Sequence, residues 1–194
     1  MKDPLAIFSS EWLYRNYDFD MLVMIRHPAA FCSSLKIKGW AFDFNHILSQ
    51  PKLMGDLLYP FKEQIKEYSE NDKDIVDQAI LLWNCIHYSI LLFRERHSGW
   101  LFVKHEDLSL DPLEQFRIIY NKFNLEYTSR AQKVILESSG THNPIEQMRG
   151  NEFKRNSKDN IKNWKNCLSE EEVNRVLVGT ANISSQFYTD DDWR

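Results

Sequence analysis

The chain has 194 residues, 43% hydrophobic and 27% charged, with a formal net charge of −4; this is the composition of one globular domain with its own core and excludes disorder as the general state. The acidic balance argues against a general nucleic-acid binder, which shows a basic balance or a dominant basic face. The three cysteines lack CxxC spacing and the six histidines are scattered without an HxH or HExxH pair, so neither a disulfide framework nor a metal site is indicated.

In chain order, Met1-Lys2 reads as the stub of a strand, and residues 4–15 read as a helix with apolar positions Leu5, Ile7, Phe8, Trp12 and Leu13. No sustained apolar h-region follows Met1, because Ser9, Ser10 and Glu11 interrupt it, so no secretory signal is expected. With reduced cysteines this points to a cytoplasmic protein. An apolar strand at 20–25 leads through Arg26 and Pro28 into a helix at 28–37. Residues 40–70 form an excursion of short helices punctuated by Pro51, Gly55 and Pro60. The next helix, 73–96, is apolar nearly all round and close to a bilayer span in length. Asp77, Gln78, Asn84 and His87 interrupt it, which favours a buried core helix over a membrane span.

Gly99 ends that helix ahead of a strand at 100–103. Asp111, Pro112 and Glu114 then start a helix whose apolar face is Phe116, Ile119, Tyr120 and Phe123. A helix at 128–139 follows, and Ser169 with Glu172 caps another near 170–178 that buries Val173, Val176 and Leu177. Helices alternating with sparse apolar strands imply an α/β domain, and no linker or repeat divides residues 1–194. Two convincing strands fall short of the five or six of an average sheet, so the parallel sheet looks incomplete.

The segment around Arg26 carries the chemistry. A buried parallel strand delivers its last side chain to the C-terminal edge of the sheet, where open α/β sheets bind ligands. There the N-terminus of the following helix attracts an anion, Arg26 supplies a two-pronged charged donor, and Ser34, eight positions on, supplies a hydroxyl. A solvated charge or a carboxylate partner is the competing reading of Arg26. A local basic excess, Arg149, Lys154, Arg155, Lys158, Lys162 and Lys165 against Glu152 and Asp159, also fits a small anionic ligand.

At this spacing the Arg26–Ser34 segment resembles the 3′-phosphate-binding motif of sulfotransferases that use 3′-phosphoadenosine 5′-phosphosulfate (PAPS). Further blocks of the chain resemble that family in the same order. Lys2-Asp3-Pro4 is similar to the strand end carrying Lys-x-His or Lys-x-Pro. Val103-Lys-His-Glu-Asp-Leu108 with Asp111-Pro112 is similar to the Tyr-Glu-Asp-Leu…Pro block. Arg155-Asn-Ser157, Trp164-Lys165 and Leu168-Ser169 with Glu171 are similar to the segment that closes over the 3′-phosphate. The family's glycine- and serine-containing loop, which binds the 5′-phosphosulfate, has no counterpart in this sequence.

The resemblance implies a P-loop-NTPase-like sulfotransferase fold, helix-rich and lacking the first strand and its loop: the C-terminal two-thirds of such a domain. It implies transfer of a sulfuryl group from PAPS to a hydroxyl or amine acceptor, carbohydrates included, leaving adenosine 3′,5′-bisphosphate. Arg26, Ser34 and Arg155 would hold the 3′-phosphate, with Ser157 adding a contact and His105 standing where relatives place an adenine-contacting tyrosine; a surface histidine is the other reading. Asp3 is the candidate base, or equally a turn or helix cap before Pro4. Trp40, Phe42 and Phe44 line an acceptor pocket or pack the core; Trp83 and Trp164 read as packing, Glu106-Asp107 as loop geometry, and Asp190-Asp191-Asp192 as a solvated tail. The alternatives to a sulfotransferase fragment, inactive by itself, are a non-catalytic nucleotide- or anion-binding module and a nucleotide-kinase-like protein; the missing Walker loop weakens the last.

Overall fold

The computed structural model describes residues 5–140 and 157–194, apart from the side chains of Ser157 and Asp159. In chain order the regular elements are α1 (Ser10–Asn16), β1 (Leu22–Ile25), α2 (Pro28–Lys38), α3 (Asn45–Leu48), α4 (Pro51–Asp56), α5 (Lys62–Glu70), α6 (Ile75–Arg96), β2 (Leu101–Lys104), α7 (His105–Leu110), α8 (Pro112–Lys122), α9 (Ser129–Ser139), α10 (Ser157–Asn160), α11 (Trp164–Cys167), α12 (Glu170–Ser184) and α13 (Asp190–Trp193). The expected helix at 4–15 is instead a 3-10 turn, Ala6–Ser9, followed by α1. The protein is therefore a helix-rich α/β domain whose described residues form one small sheet.

That sheet is the parallel pair β1–β2, in the register Leu22↔Leu101, Val23↔Phe102, Met24↔Val103 and Ile25↔Lys104. Alternation divides it into two faces. Val23, Ile25 and Phe102 belong to the main core, whereas Leu22, Met24, Leu101 and Val103 share the opposite face. On that second face the β2 side is covered, with Val103 7% exposed, and the β1 side is open, with Met24 42% exposed.

The core is organised around α6. Asp74 caps it by accepting the Val76 N–H, and Val76, Ala79, Trp83, Cys85 and Phe93 are fully buried along its length. It is the one described helix long and apolar enough to cross a membrane, and 56% of its most apolar window is buried inside the fold, so its hydrophobicity is spent on packing against α2 and α12. A close approach makes the second of these contacts possible: a Cβ on Gly179 would sit 2.9 Å from Ile80 Cγ2, and the Gly179 carbonyl accepts a bond from Asn84 Nδ2 at 2.9 Å.

Helix α2 begins at Pro28 and ends at Gly39, whose φ of 61° is the left-handed conformation that glycine adopts without a Cβ penalty. Lys36 pins it to α12 through Glu172 at 2.7 Å and to the Cys167 carbonyl at 3.3 Å. The capping box Ser169/Glu172 is present as expected. Elsewhere the caps and faces depart from expectation. Asp111 accepts the Glu114 N–H, but the Glu114 carboxylate turns to Arg117 rather than back to the cap. Helix α12 runs on to Ser184 and buries Val176, Thr180 and Ile183, leaving Leu177 38% exposed, because packing on α6 selects one i, i+4, i+7 stripe.

Candidate functional site

Arg26 lies at the C-terminal edge of the sheet, and α6 holds its backbone from both sides. The Arg26 N–H donates to His87 Nε2 at 3.4 Å, and the Arg26 carbonyl accepts from Trp83 Nε1 at 2.9 Å. Trp83 and His87 are one helical turn apart, so both reach the same strand end. Their rings stack at 3.9 Å with 14° between planes, and the His87 Nδ1 lies 3.0 Å from the Trp83 carbonyl. Only one tautomer satisfies these contacts: Nδ1–H donates to Trp83, and unprotonated Nε2 accepts from Arg26. Trp83 thus packs the core, as expected, and also orients the arginine's peptide.

The next residue is fixed from α7, the helix that follows β2. The His27 N–H donates to Glu106 Oε1 at 3.0 Å, and Glu106 Oε2 accepts the Tyr188 hydroxyl at 3.0 Å. Glu106 therefore ties three chain segments together at one point, a long-range role beyond the local loop geometry expected for it. Lys104 lies over the Tyr188 ring at 4.8 Å. Burial and the Glu106 carboxylate both push the Tyr188 hydroxyl above its ordinary range, so it stays a donor. The His27 ring is 2% exposed, stacked on Trp164 at 5.4 Å and edge-on to Tyr188 and Trp193. Neither of its ring nitrogens has a hydrogen-bond partner among the described residues.

The structure adds to two sequence expectations here. Asp190 and Asp191 are solvent-exposed, as a solvated tail requires, but the run is ordered as α13, capped by Thr189 and Asp192, and delivers Trp193 onto His27. Lys162 and Lys165, counted above toward a small anionic ligand, both donate to the Arg194 carbonyl, Lys162 at 2.9 Å.

His105 follows β2 and opens α7. Burial lowers its pKa, and the Arg26 charge lowers it further against an opposing effect of Glu106, so the neutral imidazole is favoured. It borders a cleft of about 670 Å³ between α7, α8 and α9, lined by Leu108, Phe116, Tyr120 and Ile135 with the hydroxyls of Ser109, Thr128 and Ser138. That is the size and character of a small-molecule site. Ser34 is half-buried on α2, six residues past Pro28 and about 9 Å along the helix axis from its start. Asp3 and Arg155 lie outside the described residues, as does the Ser157 side chain.

Of the aromatic residues considered for an acceptor pocket, Phe44 is 1% exposed and packs in the core, Phe42 meets it edge-on at 5.0 Å, and Trp40 is 60% exposed under Lys38. Core packing is the reading the structure supports for Phe44. Among the described residues no cluster of histidine, cysteine or acidic side chains has the grouping to hold a metal ion. Cys32 and Cys85 are buried, which pushes their thiols far above the ordinary range and leaves them unreactive.

The buried histidines make stability depend on pH. Burial lowers His27 to about 4 and His87 to about 3; for His27, Asp192 opposes and Lys162 and Lys104 add to the effect. Both pKa values are depressed relative to about 6.5 in an unfolded chain. Between those values the unfolded chain binds more protons, so stability is complete above about pH 6.5 and falls as the pH drops through 6 and 5. Each histidine contributes a slope of about 1.4 kcal/mol per pH unit in that window. Urea denaturation at pH 7.5, 6 and 5 is expected to show this loss, and His27→Phe, which replaces an unpaired buried ring by an apolar one, is expected to flatten it. A stability equal at pH 5 and 7.5 would contradict the assignment.

The fold and site define a helix-rich α/β protein with an arginine presented at the end of a parallel strand. No family model, curated protein or solved structure matches the chain.

Proposed function

We propose that the chain is the nucleotide-anchoring part of a PAPS-dependent sulfotransferase, with the P-loop-NTPase-like fold of that family. The observation that carries this reading is the Arg26 strand end: a guanidinium-bearing residue whose peptide is clamped by Trp83 and His87 at the C-terminal edge of the sheet, with His105, which follows the neighbouring strand, lining a cleft. Such preorganisation suits an anion that must be held in register. Arg26 and Ser34 hold the 3′-phosphate, and the cleft beside His105 has the volume and the mixed aromatic and hydroxyl lining to take a purine. Arg155 and Ser157 complete the phosphate grip, and Asp3 remains the candidate base.

In the reaction, the sulfur–oxygen bond of the phosphosulfate breaks as a bond forms from sulfur to an acceptor oxygen or nitrogen. The acceptor proton leaves to a base, and adenosine 3′,5′-bisphosphate is released. The acceptor is a hydroxyl or amine compound, carbohydrates included. The residues described here position the nucleotide; the glycine-rich loop that would bind the 5′-phosphosulfate is absent from these 194 residues. The second reading is a nucleotide-binding module without transfer chemistry, since the residues described here serve anchorage alone.

Calorimetric titration with adenosine 3′,5′-bisphosphate and with ATP tests the shared premise. Tighter binding of the bisphosphate is expected; a preference for ATP would sink the sulfotransferase reading, and binding of neither nucleotide would sink both. A sulfate-transfer assay with PAPS then separates the enzyme from the module.

A further inference from the structure

Among the described residues the sheet has two strands, and it is the β1 side of one face that is bare. Among the described residues β1 pairs with β2 alone. The Leu101 N–H donates to the Met21 carbonyl at 2.9 Å, so by alternation Val23 and Ile25 turn their backbone groups toward β2, and Leu22 and Met24 turn theirs away. A second observation localises the gap. Met24 and Val103 are partners in register, yet Val103 is 7% exposed and Met24 42%. The β2 side of that face is covered and the β1 side is bare, whereas parallel sheets are normally buried on both faces.

The surface leading into β1 is apolar as well. Trp12 is 59% exposed, Tyr17 53% and Phe19 46%; Trp12 meets Tyr17 edge-on at 5.9 Å, and Tyr17 stacks on Phe19 at 5.5 Å. Contiguous exposed rings beside an unpaired strand edge mark an interaction surface. The exposed carboxylates Asp18 and Asp20 stand at the N-terminal end of the strand.

We propose that the free edge of β1 docks a further polypeptide strand, parallel to β1, apolar along its length and basic at its N-terminal end. Only a polypeptide offers alternating N–H and C=O groups at the strand repeat, which is what Leu22 and Met24 present. A parallel direction continues the existing pair. It also brings the incoming N-terminus to Asp18 and Asp20, where positive charge is favoured. The inference rests on the sheet alone and stands or falls independently of the nucleotide reading.

The test uses the 194-residue protein and a synthetic peptide of two lysines followed by six alternating valines and threonines, with a control carrying proline at two of the valines. By fluorescence anisotropy the control is expected to bind at least tenfold more weakly, since proline removes edge donors. Met24→Lys is expected to weaken the first peptide at least fivefold with an unchanged melting temperature, because that side chain is solvent-exposed. A nitroxide at the peptide N-terminus is expected to broaden the amide signal of Leu22 more than that of Ile25. Equal binding of the two peptides, no binding of either, or stronger broadening at Ile25 would overturn the proposal. So would a wild-type dimer that Met24→Lys converts to monomer, since a second copy would then own the edge.

Discussion

Arg26→Ala is expected to weaken adenosine 3′,5′-bisphosphate binding by about 100-fold, and Ser34→Ala by about tenfold. The arginine supplies a two-pronged charge-assisted contact, worth about 2–3 kcal/mol, whereas one hydroxyl supplies about 1–1.5 kcal/mol, and each 1.4 kcal/mol is about tenfold in affinity. The structure also separates binding from folding at this position. The clamp uses the Arg26 N–H and carbonyl, not its side chain, so alanine keeps both bonds and the strand end stays where it is. Calorimetric titration of the two variants, with thermal melts alongside, checks the ordering. Unaltered affinity in Arg26→Ala, with the wild type binding, would remove Arg26 from the site.

Trp83→Ala is expected to cost about 4–5 kcal/mol of folding stability, the largest single loss we anticipate. Its side chain is fully buried, and deleting a buried indole costs about 3–5 kcal/mol through lost burial and the cavity left behind. The Arg26 carbonyl loses its donor at the same time, adding about 1 kcal/mol, and the His87 ring loses the indole face it stacks on. Against a typical domain stability of about 5–15 kcal/mol, the variant is left marginal. Trp83→Phe separates the two contributions: it keeps most of the apolar volume and loses the indole N–H. About 1–2 kcal/mol is expected for it in urea denaturation, and a loss as large as that of alanine would show that the hydrogen bond, not packing, holds the strand end.

Helix α6 shows why part of the architecture was readable in advance. An apolar stretch of that length broken by Asp77, Asn84 and His87 has one low-energy destination, the centre of a helical core, and it is found there. The same holds for the strand before Arg26, the proline that opens α2 and the Ser169/Glu172 cap, because each is governed by neighbours three or four positions away. Arg26 and Ser34 are legible for the same reason, since strand-end and helix-start chemistry is local, whereas His105 rests on the sulfotransferase resemblance alone.

The partners of those residues were not readable. Glu106 touches His27 and Tyr188, which are 79 and 82 positions away in sequence, and no short-range pattern predicts such pairings. His87 and Trp83 share a helix face, but a Trp-x-x-x-His spacing is common in buried helices and does not announce that both rings meet the peptide of Arg26. The acidic run at 190–192 was legible only in part, for a related reason. Charge density alone describes a solvated segment, while Trp193 at its end supplies the apolar contact that fastens it to His27.

By itself, the sequence determined that this is a helix-rich α/β chain with a parallel strand ending in an arginine, since composition, periodicity and capping act over one or two turns. Tertiary structure alone decided how that arginine is held, by α6 behind it and by Glu106 and Tyr188 beside it, and that among the described residues β1 pairs with β2 alone. Those features depend on contacts across tens of residues, which close only when the core packs.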